Sequence, residues 1–289
     1  MKCRSFLVLS ALFMLFSSSG LLLGYEWPLE NPTVVLDFCQ NNGKAFLPGA
    51  MIQGSSNDVR AVESGTLIFF QRENEALDQL PSGYDSFIVL EHERGIRSFY
   101  GNLGTVKVSN VEVEKGESLG TLLLTSSGNP SPLFLQILDY EYLRYVNPLL
   151  SLPPLEDSLA PIISGVLLSR GDQAITLNRE ARLDAGRWEV FVSAFDPVAG
   201  SRDRKAPYRF DTYLNGESQG DVSFETLEMD GDSLKLIRTG NLTADRLYQR
   251  SGYYRIGEIM LSPGASTLEV AVSDFAGNET SHSILLRVR

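Results

Sequence analysis

Histidine and cysteine, the side chains that most often hold zinc or form nucleophile–base pairs, are scarce in this sequence of 289 residues. The histidines are His92 and His282, and the cysteines are Cys3 and Cys39. A zinc site takes three or four N, O or S ligands, and a nucleophilic cysteine needs a base beside it. The sequence therefore disfavours a Cys–His catalytic pair, and Cys39 is predicted to be a small buried hydrophobic residue.

Aspartates of the C-terminal half are the remaining candidates for metal binding. Asp196, Asp203, Asp211 and Asp274 could supply oxygen ligands to calcium. Their spacing does not match an EF-hand loop, and acidic side chains are common in solvated loops. We therefore predict no cofactor.

The overall charge restricts the partners. The net charge is −11, with 43% hydrophobic and 21% charged residues, which is typical of a folded acidic protein. Nucleic acid is excluded as a partner because phosphate binding needs a basic surface. Anionic lipids and wall polymers are disfavoured for the same reason, so we expect a protein, a neutral glycan or a peptide.

Residues 1–24 have the layout of an export signal. Lys2 and Arg4 precede an apolar run over residues 6–16, and small residues follow at 17–20. This pattern predicts an exported protein of the periplasm or cell envelope. Cleavage and retention as an N-terminal anchor both stay open, and no other membrane span is expected.

Short runs of β-forming residues with glycine-rich turns dominate the rest of the chain and predict an all-β fold. A break at Pro153–Pro154 divides it into a first domain, 25–154, and a second, 155–289. Strands are predicted in the first domain at 66–70, 86–91, 96–100, 106–113, 118–123 and 133–138. In the second they are predicted at 162–168, 188–194, 208–214, 253–261, 266–272 and 283–288, spacing that favours an immunoglobulin-like β-sandwich.

A series of short motifs then points to a family. The motifs lie, in order, at 46–52, 59–67, 88–95, 98–103, 113–120 and 146–149. In this order they resemble the LytM/M23 cell-wall peptidases over residues 43–150, which implies the β-sheet domain of that family. The stretch Val113 to Gly120 also occurs in lipoyl and biotinyl carrier domains, but no lysine stands in the hairpin turn that a carrier needs.

The resemblance also implies where a zinc ion and its helpers would be. The ligand positions of the family fall on Leu47, Met51 and Phe134, and the assisting histidines fall on Asn102 and Pro132. Leucine and phenylalanine cannot coordinate a metal, and a methionine thioether suits softer ions than zinc. The sequence therefore predicts a degenerate, non-catalytic relative. His92 matches a family position that is not a ligand, so it is interpreted as structural, with a lone general base as the alternative.

The replacements are expected to converge into an apolar floor. One interpretation is that hydrophobic side chains fill an unused site and stabilise the fold. The other is that the groove binds an apolar segment of a partner. Tyr100, Asn102 and Gln136 are the candidate binding residues in that groove.

Three functions remain in competition. The leading hypothesis is a scaffold or regulator of peptidoglycan remodelling, because the resemblance includes metal-free members that activate wall amidases. The second is a module that binds peptidoglycan or peptide without a regulatory role. The third is an active metallopeptidase with unusual ligands.

Overall fold

A computed structural model of the chain describes residues 24–42, 45–72, 83–108, 110–198, 204–237 and 242–289. Strands and turns account for nearly all of them, so the prediction of an all-β fold is confirmed. The helical elements are α1 (Ala244–Leu247) and single 3-10 turns at Glu93–Gly95 and Pro148–Leu150. The predicted signal lies outside the described residues except for Gly24. Within the described ranges, no helix has the length and apolar character needed to cross a membrane.

The first half of the chain builds a large antiparallel sheet around β7, β8 and β11. Its strands are β1 (Thr33–Leu36), β4 (Ala50–Gln53), β5 (Asp58–Arg60), β6 (Gly65–Gln71), β7 (Ser86–Glu91), β8 (Ile96–Val106), β9 (Glu112–Val113), β10 (Ser118–Leu122), β11 (Leu133–Asp139) and β12 (Arg144–Val146). The short strands β2 (Asn41–Asn42) and β3 (Ala45–Phe46) pair with each other in a separate sheet. Alternate side chains of the central strands, such as Ile88, Tyr100 and Leu135, are buried in one apolar core. We call the opposite side the outer face.

The predicted strand at 106–113 is wrong in its extent. β8 ends at Val106, where its pairing with β10 stops, and β9 contains only two residues that pair with β6. Alternation of apolar residues marks a segment that is compatible with a strand, but a ladder also requires a neighbouring strand in register.

The second half forms two sheets that face each other across a second core. Its strands are β13 (Ile162–Arg170), β14 (Gln173–Leu177), β15 (Glu180–Leu183), β16 (Gly186–Pro197), β17 (Arg204–Lys205), β18 (Arg209–Leu214), β19 (Glu217–Ser223), β20 (Thr226–Asp230), β21 (Ser233–Leu236), β22 (Leu242–Thr243), β23 (Tyr254–Leu261), β24 (Gly264–Ser273) and β25 (Glu279–Val288). One sheet has the order β14-β13-β16-β17, with β23 also beside β16, and the other has the order β15-β25-β24-β18-β19. Trp188 from one sheet and Phe210 and Val270 from the other are fully buried between them. The arrangement is a β-sandwich, and the immunoglobulin-like assignment stays a prediction.

The two halves exchange elements across the proline break. β20 leaves the sandwich and pairs with β12 of the first sheet, so that Thr226 lies opposite Val146. In the other direction, Phe38, Cys39 and Phe46 pack in the core of the sandwich. Strand pairing and side-chain packing thus both cross residue 154. The division into two domains at this residue stays a prediction.

Asn147 also connects the two halves of the chain. Its side chain is 4% exposed, and its Nδ2 donates to the carbonyl of Phe224 at 2.9 Å. Its Oδ1 accepts a hydrogen bond from the Leu149 N–H at 3.1 Å and caps the 3-10 turn that follows. The asparagine of the family-like exit motif therefore connects the two halves, with its buried amide satisfied on both sides.

Candidate functional site

Strand pairing assembles the predicted metal positions on the outer face. Met51 on β4 lies opposite Phe134 on β11, and Phe134 lies opposite Gly101 on β8. Asn102 donates from Nδ2 to the carbonyl of Pro132 at 2.8 Å, and the same nitrogen is 3.9 Å from Met51 Sδ. The structure therefore brings together Met51, Asn102, Pro132 and Phe134, which we call the cleft.

Asn102 has a backbone geometry that suits its side chain. Its φ is 64°, in the left-handed region that asparagine enters more readily than most residues. Its carbonyl accepts a hydrogen bond from the Leu123 N–H at 3.0 Å, which holds β8 against the segment after β10. The side-chain amide of Asn102 therefore bonds within the protein, from β8 to the residue before β11.

Phe134 occupies the cleft as a packed side chain. It is fully buried and stacks on Tyr84 with ring centroids 4.6 Å apart and nearly parallel planes. Phe99 packs against it edge-on at 5.9 Å. Gly49 gives the ring its space, because a Cβ there would lie 2.8 Å from the ring and 2.5 Å from the carbonyl of Leu135. The glycine of the first motif is therefore required by the close approach of β11, through both its backbone and the Phe134 ring.

Leu47 is positioned differently from the four cleft residues. It is 6% exposed, and its backbone bonds to the turn before it, with N–H to the Gln40 carbonyl and carbonyl to the Cys39 N–H. Cys39 is fully buried, which raises the pKa of its thiol well above the ordinary value. The tertiary contacts thus connect Leu47 to a segment that packs into the sandwich.

The candidate binding residues differ in accessibility. Tyr100 is fully buried on the core side, and its hydroxyl accepts from the Val62 N–H at 2.9 Å, so it offers no surface to a ligand in this conformation. Gln136 is half-buried on the outer face, one pleat beyond Phe134 and opposite Phe99. Of the predicted groove residues, Gln136 is the one with an accessible polar side chain beside the aromatic rings.

A row of aromatic rings crosses the outer face and ends in the cleft. The rings of Phe69 and Phe87 are 5.6 Å apart, those of Phe87 and Phe99 are 5.0 Å apart, and those of Phe99 and Tyr84 are 5.2 Å apart. Phe69 is 44% exposed at one end, and Phe134 is fully buried at the other. We call these five residues the aromatic row. Sequence reasoning missed it, because the rings come from separate segments and only the pairing of β6, β7, β8 and β11 brings them side by side.

His92 lies on the core side and is fully engaged in hydrogen bonds. Its Nδ1 is 2.8 Å from the Ser64 carbonyl and its Nε2 is 2.7 Å from Ser98 Oγ. A carbonyl can only accept, so Nδ1 carries a proton. Burial lowers the pKa of His92 below its ordinary value, which favours the neutral ring. This environment supports the structural interpretation of His92.

Carboxylates converge at a second place, between the linker and the sandwich. Asp157 of the linker, Asp196 of β16 and Asp274 after β24 each place an oxygen within 4.8 Å of the others. They line a crevice with apolar walls that include Trp27 and Phe275. We call these three residues the acidic triad. In the described part of the chain, no other group of three or more histidine, cysteine or acidic residues reaches this proximity.

The sequence had pointed to a different set of aspartates. Asp196 and Asp274 are brought together, but Asp211 pairs with Arg209 on its own strand at 2.7 Å. Asp203 lies outside the described residues. The third member, Asp157, was missed because it belongs to the linker, where acidic residues next to two prolines are typical of solvated loops.

Comparisons with known proteins concern the fold. A protein-family model matches residues 160–289, which contain the sandwich strands. No curated protein matches the chain.

Three solved structures of low similarity show how the chain relates to known folds. The SpoIIQ–SpoIIIAH pore-forming complex contains a chain that is 20% identical, with coverage of 45% of this chain and 92% of that chain and a TM-score of 0.35. The catalytic domain of the prophage-encoded M23 protein EnpA from Enterococcus faecalis is 13% identical, with coverage of 40% and 88% and a TM-score of 0.33. The peptidase lysostaphin from Staphylococcus simulans is 12% identical, with coverage of 91% and 98% and a TM-score of 0.35. Similarity this low carries no activity over to this chain.

Proposed function

We propose that this chain is an exported, non-catalytic protein of M23-like architecture that acts as a scaffold or regulator of peptidoglycan remodelling. The observation that carries the proposal is the packing of Phe134. A fully buried ring, stacked on Tyr84 at 4.6 Å, occupies the position where the resemblance puts a zinc ligand.

The chemistry of the neighbouring side chains supports a non-catalytic role. A zinc hydrolase needs an open coordination position for the water that it activates. Around Phe134, the thioether of Met51 and the Asn102 amide, which is bonded to Pro132, supply neither a zinc ligand set nor a base. Burial of these side chains stabilises the fold, and the surface around them is available to bind a partner.

The aromatic row supports binding as the retained activity. Large rings contribute most to protein interfaces when they project from a rigid sheet. Phe69 is the exposed end of the row. Gln136, which lies opposite Phe99, adds a polar group next to the row. We propose that a wall hydrolase, such as an amidase, or another envelope protein contacts this outer face.

Two measurements test the proposal together. Purified protein should contain no stoichiometric zinc and release no soluble muropeptides from sacculi. Capture from envelope extract should recover a wall hydrolase, and Phe69→Ala should weaken this capture. Ile68→Ala is the matched control, because Ile68 is similarly exposed at 41% but is not part of the row. Bound zinc with turnover, or capture that is unchanged in Phe69→Ala, would contradict the proposal.

A second candidate function is direct binding of wall glycan or peptide by the same face. The specific observation in its favour is the row itself, because aromatic rings stack on the apolar faces of sugars as well as on peptides. Co-sedimentation with purified sacculi separates the two. If the protein sediments with sacculi that are free of other proteins, and Phe69→Ala releases it, the binding-module function replaces the regulatory one.

A further inference from the structure

The acidic triad is built by three segments that are far apart in sequence. Asp157 comes from the linker, Asp196 from the end of β16, and Asp274 from the turn before β25. One oxygen from each residue lies within 4.8 Å of the other two. Three oxygens this close can converge on one calcium ion, at Ca–O distances of roughly 2.3–2.6 Å, after small side-chain adjustments.

Asp196 lacks the partners that a buried carboxylate needs. The residue is 6% exposed, and its Oδ1 is buried without a hydrogen-bond donor. The residue lines the crevice together with Asp157 and Asp274. An unsatisfied buried charge costs free energy unless a proton or a cation compensates it.

Asp274 is held differently, which identifies Asp196 as the unsatisfied member. Asp274 Oδ1 accepts from the Asn278 N–H and Oδ2 accepts from Asn278 Nδ2, each at 2.8 Å. The same Nδ2 donates to the carbonyl of Asp157 at 3.2 Å. Asn278 therefore orients two of the three acids toward each other, and it leaves their remaining lone pairs for another ligand.

The charge around the triad is negative. Lys205 is the cation that lines the crevice, on the strand pair with Asp196, and it also faces Asp37. One lysine stands against four carboxylates. Burial is the main cause that raises the pKa of Asp196 to about 7, and the nearby charges of Asp157 and Asp274 add to it.

We propose that the acidic triad is a calcium site that clamps the linker to the sandwich. Calcium prefers carboxylate oxygens, accepts six to eight ligands, and completes its shell with water, which the open mouth of the crevice admits. A set of oxygens without nitrogen or sulfur does not favour zinc. Magnesium demands a tighter octahedron and is expected to bind less well.

Calcium titration of the purified chain, stripped with EDTA, tests the proposal by calorimetry and thermal unfolding. We expect one ion per chain, and an increase in Tm of about 5 °C or more at calcium about 100-fold above the dissociation constant. Asp196→Asn should abolish both signals, and Asp157→Asn, on the linker, should weaken binding at least tenfold. Asp172→Asn is the matched control, because Asp172 lies in an exposed turn of the sandwich, and it should bind like the wild type.

Several results would overturn the calcium site. These are the absence of heat and of a Tm shift at about 10 mM calcium, unchanged binding in both Asp196→Asn and Asp157→Asn, or an equal response to magnesium. A shared proton is the competing explanation. Both explanations predict that Tm rises on acidification from pH 7.5 to 5.5 in EDTA, but the shared proton alone predicts that calcium has no effect at either pH.

Discussion

The cleft and the acidic triad differ in how their polar side chains are satisfied. In the cleft, the positions to which the motifs point hold packed apolar side chains, and the one amide is bonded to a neighbouring carbonyl. In the triad, to which no motif points, a buried carboxylate oxygen has no donor. The comparison teaches that a family pattern locates a place in the fold, whereas unsatisfied polar atoms locate the chemistry that is still available there.

Removal of the ring in the cleft gives the largest expected effect. Phe134→Ala should lower the free energy of unfolding by about 3–5 kcal/mol, because it deletes a fully buried aromatic side chain. Urea unfolding measures this, and Leu124→Ala, at a residue that is 54% exposed, should cost less than about 0.5 kcal/mol. Equal stability of Phe134→Ala and the wild type would mean that the cleft is not packed.

Neutralising the buried acid of the triad should have the opposite sign. The pKa of Asp196 is raised to about 7, so the folded protein holds a proton that the unfolded chain releases near pH 4. In EDTA, stability should fall as pH rises from about 4 to about 7 and level off above that. Asp196→Asn should remove most of this slope and stabilise the protein at pH 7.5 by roughly 2–4 kcal/mol.

The pH dependence has a second contributor that the same experiment must allow for. Burial raises the pKa of Asp37 to about 6, so a smaller slope of the same sign should remain in Asp196→Asn. Asp172→Asn should keep the full wild-type slope. If Asp196→Asn also keeps it, the carboxylate is not destabilised by its surroundings and the contrast with the cleft fails.

A smaller effect is expected at the polar residue of the cleft. Asn102→Ala should cost about 2 kcal/mol, because it loses the hydrogen bond to Pro132 and places a Cβ residue without a local side-chain bond at a φ of 64°. Asn102→Gly loses the same hydrogen bond but tolerates this φ, so it should cost about 1 kcal/mol. Thermal or urea unfolding of the pair separates the two contributions. Equal costs would assign the whole effect to the hydrogen bond.

His92 should give the smallest effect, with a pH dependence opposite to that of Asp196. Its pKa is lowered by burial, so the stability it contributes is complete above pH 6.5 and is lost as pH falls through the folded-state pKa. His92→Gln should cost about 1 kcal/mol at pH 7.5 and remove this loss. The measurement is clearest in the Asp196→Asn background, where the opposing slope is small. If the double variant His92→Gln, Asp196→Asn still loses as much stability below pH 6.5 as Asp196→Asn alone, His92 is not the origin of that loss.

The local pattern of residues determined most of the longer strands. Eleven of the twelve predicted strands overlap an observed one, because each is a short run of β-forming residues between turns. The motif positions also determined that Met51, Asn102, Pro132 and Phe134 would be neighbours, since strand order and register follow from the same segments.

Only the tertiary structure decided what crosses between the halves and what is left unpaired. The pairing of β20 with β12 depends on edges that no local pattern specifies, and the burial of Tyr100 depends on the hydrogen bond that its hydroxyl receives from Val62. The acidic triad needs the linker, a strand end and a distant turn at one point. The alternation that marks a strand is encoded in a few neighbouring residues. The proximity of charges that are far apart in the chain is decided only when the cores pack.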